Sequence, residues 1–292
     1  MSNQVDKAFV QQFRDSAFHL AQQKSSRLAG AVRTKEVTGK YSHEERIGTV
    51  EAILKTSRHQ DTPQTDVPHS RRRLILQDFI LNDYVDKEDE LRMLIDPKSE
   101  YATAFARGLG RKMDDVIIAA AVGNATSVDA DDTTSAVGVA HTIDEDFTTG
   151  NSDIIFEKVV DARRILMANE IDPEDPLHFA LDSTALHVLI KETEVASADY
   201  NTLRALASGS PGTFMGFNFI QTERLTSSSE GFLQCLAFSG DAVVLGMGKD
   251  ASVRMTERPD KCYSTQVFAS MSLGAVRLHE EGMIIVEAYR SS

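Results

Sequence analysis

From Tyr263 to Leu273 the chain alternates. Tyr263, Thr265, Val267, Ala269, Met271 and Leu273 take the odd positions and Cys262, Ser264, Gln266, Ser270 and Ser272 the even ones, with only Phe268 out of step. A period of two over this length predicts a strand with one buried face. Shorter apolar runs at Gln234 to Phe238, Ala242 to Leu245, Val253 to Glu257 and Met283 to Tyr289, joined by Gly and Pro turns, extend the prediction to a β-rich C-terminal part.

Upstream the period changes to that of a helix. Tyr101, Phe105, Leu109, Met113, Ile117 and Ala121 fall on one stripe between Asp96-Pro97, an N-cap followed by Pro at the first helical position, and Gly123-Asn124, which closes the helix. A helix over Pro97 to Val122 would be about 39 Å long. Gly108 and Gly110 lie inside it, each costing about 1 kcal/mol relative to Ala, and mark the middle as the place to bend. A second helix is expected over Asp153 to Ala168, burying Ile155, Val159, Ala162 and Leu166 before Pro173 and Pro176. A third starts at Ser183 or Thr184 and runs to about Glu192, and a strand over Phe217 to Thr222 follows the Gly, Ser and Pro cluster at 208–212. The acidic, Thr-rich stretch from Val128 to Asn151 reads as a loop or weak hairpin.

Two N-terminal segments have too little to bury on their own. The first 35 residues are polar, with Phe9, Phe13, Ala17 and Leu20 at helical spacing, which predicts an arm bearing a short amphipathic helix. The β-prone runs Thr49 to Thr56 and Arg73 to Val85 flank a polar stretch from Ser57 to Arg72 that contains Pro63 and Pro68. An extended hairpin with so long a tip is stable when it lies on a neighbouring chain.

Composition narrows the function. With 292 residues, 41% hydrophobic and 26% charged, the chain is long enough for about two ordinary globular domains. Its longest strongly apolar stretch, Val116 to Val122, is far too short for a membrane span, and the charge alternation of the first fifteen residues predicts no secretion signal. Cys235 and Cys262 read as small apolar residues in a reducing cytoplasm, with a disulfide between them left open. A net charge of −13 and a pI near 5.1 argue against a protein that grips nucleic acid over its surface. They are compatible with a wall that encloses nucleic acid, because phosphate-binding walls would trap the polymer.

Candidate chemistry is thin. Gly246-Met247-Gly248-Lys249-Asp250-Ala251 has the loose spacing of a dinucleotide loop, but a strand-like stretch and Pro259 follow where a helix should start, so a tight turn is expected. Val243 stands where a P-loop needs Gly. Asp129, Asp131 and Asp132 lack the Gly and Glu of a calcium loop, since Thr134 and Ala140 occupy those places. Neither His59, Asp61, Asp66 and His69 nor His178, Asp182 and His187 has zinc-ligand spacing, and no nucleophile elbow is present in the sequence. No catalytic residue, cofactor or metal is therefore expected. The basic cluster Arg71-Arg72-Arg73 is either a solvated run or a set of bidentate partners for carboxylates on an adjacent subunit.

Several stretches resemble one family. Arg72-Arg73-Leu74, Asp83-Tyr84-Val85-Asp86, Asp89, Leu94-Ile95-Asp96-Pro97, Tyr101, Gly110-Arg111, Asp114 and Gly123 look like the passage from hairpin to spine helix in major capsid proteins of tailed double-stranded DNA bacteriophages. Gly240-Asp241-Ala242-Val243-Val244-Leu245, Ser272-Leu273-Gly274-Ala275-Val276-Arg277 and Glu281-Gly282-Met283-Ile284-Ile285-Val286-Glu287 resemble their C-terminal part. The resemblance implies the α+β capsid fold named after phage Hong Kong 97. It would comprise an N-terminal arm at 1–35, an extended hairpin loop at 36–86, a peripheral domain with the spine helix at 87–177 and 252–274, and an axial domain at 178–251 and 275–292. It further implies a structural homo-oligomer of pentamers and hexamers in an icosahedral virion shell, assembled in the bacterial host cytoplasm. The shell would enclose double-stranded DNA without sequence-specific binding, with scaffold, portal and decoration proteins as candidate partners. Self-cross-linking, found in some members, needs a matched Lys, Asn and Glu that no stretch of this sequence identifies. An encapsulin-type nanocompartment shell shares the fold, though the long arm favours the phage. The rival from another class is an oligomeric α+β enzyme with a dispersed site.

Overall fold

Polar as well as apolar segments form the strands of this α+β chain. The structure, a computed structural model, describes residues 23–86, 97–128, 133–144, 146, 156–172, 174–191, 213–228 and 230–289. Among them the first half runs β1 (Arg33–Glu36), β2 (Tyr41–Ile47), β3 (His69–Ile75), β4 (Gln77–Val85), α1 (Pro97–Val122), β5 (Ala125–Val128), β6 (Thr134–Val137) and β7 (His141–Ile143). The second half runs α2 (Phe156–Ala168), β8 (Leu177–Leu181), α3 (Ser183–Lys191), β9 (Thr213–Phe214), β10 (Phe217–Gln221), β11 (Leu233–Ser239), β12 (Val243–Arg258), β13 (Ser264–Arg277) and β14 (Met283–Ala288). The expected arm helix around Phe9 to Leu20, the Asp96 cap, Ile155 and the acidic run Asp129 to Asp132 lie outside the described residues. No described helix is long and apolar enough to cross a membrane.

The chain divides into two units. The larger takes the described residues of 27–77, 113–248 and 273–292. Its main core lies on a six-stranded sheet in the order β7-β14-β11-β8-β10-β9. Phe179, Phe217, Phe214 and Phe219 fill that core together with Val159, Ala162 and Leu166 of α2 and Leu189 of α3. Phe179 meets Phe217 edge-on at 5.7 Å, a favoured aromatic geometry. β8 is a strand that sequence pattern did not predict: five residues between Pro176 and Asp182 are too few to display a period. Pairing decides it, with β10 parallel on one side and β11 antiparallel on the other. Asp182 then starts α3 by accepting the Ala185 amide at 2.6 Å on its side chain.

A second sheet of this unit, β2-β3-β5-β6, carries the hairpin. The hairpin strands are β2 and β3, so the expected strand at Thr49 to Thr56 is corrected: those residues form no strand. The single expected run Arg73 to Val85 is likewise two strands, β3 and β4. Of the stretch from Val128 to Asn151, expected as a loop or weak hairpin, β6 pairs antiparallel with β5, which precedes it, and β7 joins β14 instead.

The third sheet has the order β1-β12-β13-β4. Two strands and a tight turn were expected where β12 runs unbroken through Gly246–Ala251. The turn signal loses because both flanks of this stretch are paired: β1 aligns in parallel with Val244 to Met247, and β13 lies on the other side. β13 keeps the expected alternation, with Thr265, Val267, Ala269, Met271 and Leu273 buried. Tyr263 falls outside it, in a positive-φ turn with its side chain exposed.

The smaller unit takes the described residues of 1–26, 78–112 and 249–272. Polar cross-links join its segments: Gln266 donates to the Asn82 side-chain Oδ1 at 2.6 Å, Ser264 to Asp86 at 2.6 Å, and Lys249 to Ser270 at 2.8 Å. Lys112 of α1 sits 5.1 Å from the centre of the Phe79 ring. α1 itself has the predicted bounds.

Candidate assembly surface

β2 and β3 pair from Tyr41 opposite Ile75 to Ile47 opposite His69. That register puts Ser42, Glu44 and Arg46 on the same face as Ser70, Arg72 and Leu74, and this is the more buried face. Leu74 is its one apolar residue. The other face exposes Tyr41, Ile47 and Ile75. Past Ile47 the chain makes an irregular tip, closed at its neck by the Gly48 amide on the Pro68 carbonyl at 2.8 Å. Within the tip Val50 and Ile53 are half exposed and Leu54 is 81% exposed. Arg46, Arg72 and Glu44 thus face the chain's own body beside Leu74, and the outward face mixes the apolar Tyr41, Ile47 and Ile75 with Glu45, Arg71 and Arg73. A cluster of exposed aliphatic residues on an extended element is a surface for another chain.

Charge holds the root of the hairpin. Arg72 and Glu280 are both nearly inaccessible, and the Arg72 guanidinium donates to one Glu280 oxygen while Arg46 donates to the other. Arg72 also donates to the Ser127 hydroxyl of β5 at 2.9 Å. Arg46 reaches on to both oxygens of Glu281, at 3.2 and 3.4 Å. Burial alone would push the Glu280 carboxyl up; its own amide, Arg72 and Arg46 outweigh that and hold it below the ordinary value. His279 is pushed down, first by burial and then by Arg46. The loop that presents Glu280 is pinned by Leu278 donating to the Ala242 carbonyl (2.8 Å), Ser239 donating to that of Gly282 (3.0 Å), and Asn169 donating to that of Glu281 (2.9 Å). A cleft of about 600 Å³ opens beside it, lined by Ile47, Thr49, His69, Asn169, Ile171 and His279 among others.

Arg277 serves the neighbouring helix end. Fully buried, it donates to the carbonyls of Ala121 (2.6 Å) and Gly123 (2.9 Å) at the C-terminus of α1 and to that of Val137 in β6 (2.8 Å). These carbonyls carry the negative end of the helix dipole, which suits a buried cation.

The predicted arginine cluster separates into three environments. Arg71 makes an exposed pair with Glu45 at 3.3 Å, Arg72 is turned into its own chain, and Arg73 lies 5.6 Å from the centre of the Tyr41 ring. Gly108 and Gly110 sit at close approaches within the smaller unit. A Cβ on Gly108 would be 3.1 Å from a Leu81 methyl, and one on Gly110 would be 3.1–3.2 Å from the backbone of Ser25 and Ser26. Among the described residues no three His, Cys, Asp or Glu side chains are placed to hold a metal. His178 packs its ring 5.5 Å from that of Phe238, and Asp182 caps α3. Cys235 and Cys262 are both free, and burial pushes the Cys235 thiol far above its usual range. Sequence reading missed Glu280 and Arg46, which lie 234 positions apart and carry no local motif.

Over residues 5–289 the chain matches the family model described as phage capsid protein. No curated protein sequence matches it. Among solved structures, the capsid of Ralstonia phage GP4 superposes with a TM-score of 0.75 at 11% identity, over 97% of this chain and 96% of that one. The capsid structure of cyanophage P-SCSP1u gives 0.71 at 17% identity, over 98% and 95%. Mycobacterium phage Che8 gives 0.70 at 14%, over 95% and 97%. At such identities the superpositions speak for the fold, and the family model speaks for the role. The chain belongs to the phage capsid protein family, as a structural major capsid protein with the Hong Kong 97-like α+β fold.

Proposed function

We propose that this major capsid protein assembles as pentamers and hexamers into an icosahedral phage head that encloses double-stranded DNA, with no catalytic role. The observation that carries the reading is the hairpin tip, whose Val50, Ile53 and Leu54 stay exposed among the described residues. A neighbouring subunit supplies their cover. The net charge of −13 fits a wall that contains DNA without binding its sequence. In this reading 1–35 is the arm, 36–86 the extended loop, 87–177 with 252–274 the peripheral domain, and 178–251 with 275–292 the axial domain. Arg71, exposed beside Glu45, and Arg73, beside the Tyr41 ring, would meet carboxylates of a neighbour, while Arg72 holds its own hairpin. Gly108 and Gly110 are where the spine helix bends during shell expansion, and an Ala at either must also displace Leu81 or the Ser25–Ser26 backbone. Head assembly takes place in the host cytoplasm, with scaffold, portal and decoration proteins as its partners.

The test is to express the chain alone and view size-excluded fractions by electron microscopy. Closed shells, tubes or isolated hexamers are expected. A stable small oligomer that makes no curved lattice, even with a candidate scaffold, would overturn the reading.

A further inference from the structure

We propose that Glu280 is a positioning residue for assembly: one carboxylate grips both strands of the hairpin, through Arg46 on β2 and Arg72 on β3, and so sets the direction in which the hairpin leaves the subunit. The inference rests on the assembly reading above and deepens it.

Three observations converge on it. The inward face of the hairpin is anchored by apolar packing only at Leu74, which lies among Val37, Ala125, Val244, Val276 and Leu278; from there toward the tip it offers Ser42, Glu44, Arg46, Ser70 and Arg72, so the hold on that part is polar. The two oxygens of Glu280 are divided between the strands, one to Arg46 and one to Arg72. The loop that carries Glu280 has no freedom of its own, because Ala242, Ser239 and Asn169 hold it on either side of that residue. Charge-assisted bonds to a planar guanidinium have a fixed direction, whereas an apolar contact tolerates sliding and rotation. Ser127 extends the grip to β5 through Arg72. Glu281 doubles the hold on Arg46 from the same loop. The root is thus a fixed ionic joint, and the exposed tip is aimed by it. In a shell whose curvature depends on where each tip lands, the angle at the root becomes a property of the particle.

Glu280→Gln keeps the shape of the side chain and removes its charge. Amide exchange followed by mass spectrometry should show β2 and β3 exchanging about tenfold faster or more in this variant, as expected when a buried charged hydrogen bond is lost. β11 and β14 should be unchanged. In assembly, electron microscopy should show particles of mixed curvature in place of uniform shells, and Glu280→Asp, which restores a carboxylate, should recover part of the uniformity. If Glu280→Gln does not fold, Arg46→Gln at the more exposed side of the joint takes its place, loosening β2 more than β3. Unchanged hairpin exchange, or loosened exchange with shells of wild-type diameter and uniformity, would overturn the proposal. Failure of the wild-type chain to assemble would instead count against the assembly reading, and the exchange comparison would still decide whether Glu280 anchors the hairpin.

Discussion

Gly274 has no room for a side chain: a Cβ there would lie 2.1 Å from the Ile75 carbonyl oxygen. Gly246 is similarly confined, since a Cβ there would lie 2.7 Å from a Leu74 methyl and 2.9 Å from a Val37 methyl. Both glycines therefore serve the close approach of β12 and β13 to the end of β3, and this accounts for the glycine at the start of what looked like a dinucleotide loop. Gly274→Ala should lower the unfolding free energy by about 1–3 kcal/mol, the usual cost of overpacking, read as a lower denaturant midpoint. Gly30→Ala, where nothing lies within 4 Å of the added methyl, is the control and should stay near wild type. The difference between the two glycines is invisible in sequence, since it depends on a chain segment that arrives from 199 positions away in one case and on empty space in the other.

At the scale of elements the hairpin is the instructive case. Propensity places a strand on Thr49 to Thr56, where apolar and β-branched residues cluster, yet that stretch is exposed and irregular and the strand is the polar Tyr41–Ile47. Propensity measures how well a residue suits a pleated, half-buried surface. Here Val50, Ile53 and Leu54 stay exposed, while β2 is fixed by its pairing to β3 and by Arg46 and Lys35, which reach Glu280 and Glu44. Replacing both Ile53 and Leu54 with Asp should leave the denaturation midpoint and far-UV circular dichroism of the isolated subunit near wild type, because both side chains are largely exposed among the described residues. The same variant should fail to form shells under the electron microscope. The spine helix is the opposite case: α1 has the predicted bounds because its stop signals and its apolar stripe are local.

For the whole molecule, two half-buried histidines tie the fold to pH. Burial pushes His178 down, and burial with Arg46 pushes His279 down. The sign follows from linkage: the unfolded chain takes up protons more readily at these positions, so the fold loses stability as pH falls below the unfolded value of about 6.5. The urea midpoint should therefore drop between pH 7 and pH 5.5. His178→Phe, which keeps a ring against Phe238, should reduce that drop. A drop of the same size in the variant would leave His178 without a part in it. Glu280 acts at lower pH, where protonation would release the two arginines and remove the stability its depressed value supplies.

Much of the design was legible in the residues. Local periodicity determined α1, the buried face of β13 and the strands β11 and β14, because a helix stripe or a two-residue alternation is written within a dozen consecutive positions. Quoted family wordings pointed to the capsid fold, and the acidic composition pointed away from a nucleic-acid grip. Tertiary structure alone decided that β8 is a strand, that β12 runs through its glycines, and that Arg72 turns inward to a glutamate 208 positions later. Each of these depends on a partner distant in sequence: a flanking strand, an approaching methyl, a carboxylate on a pinned loop. A one-dimensional pattern records what each residue would prefer, and only the folded chain determines which partner is there to meet it.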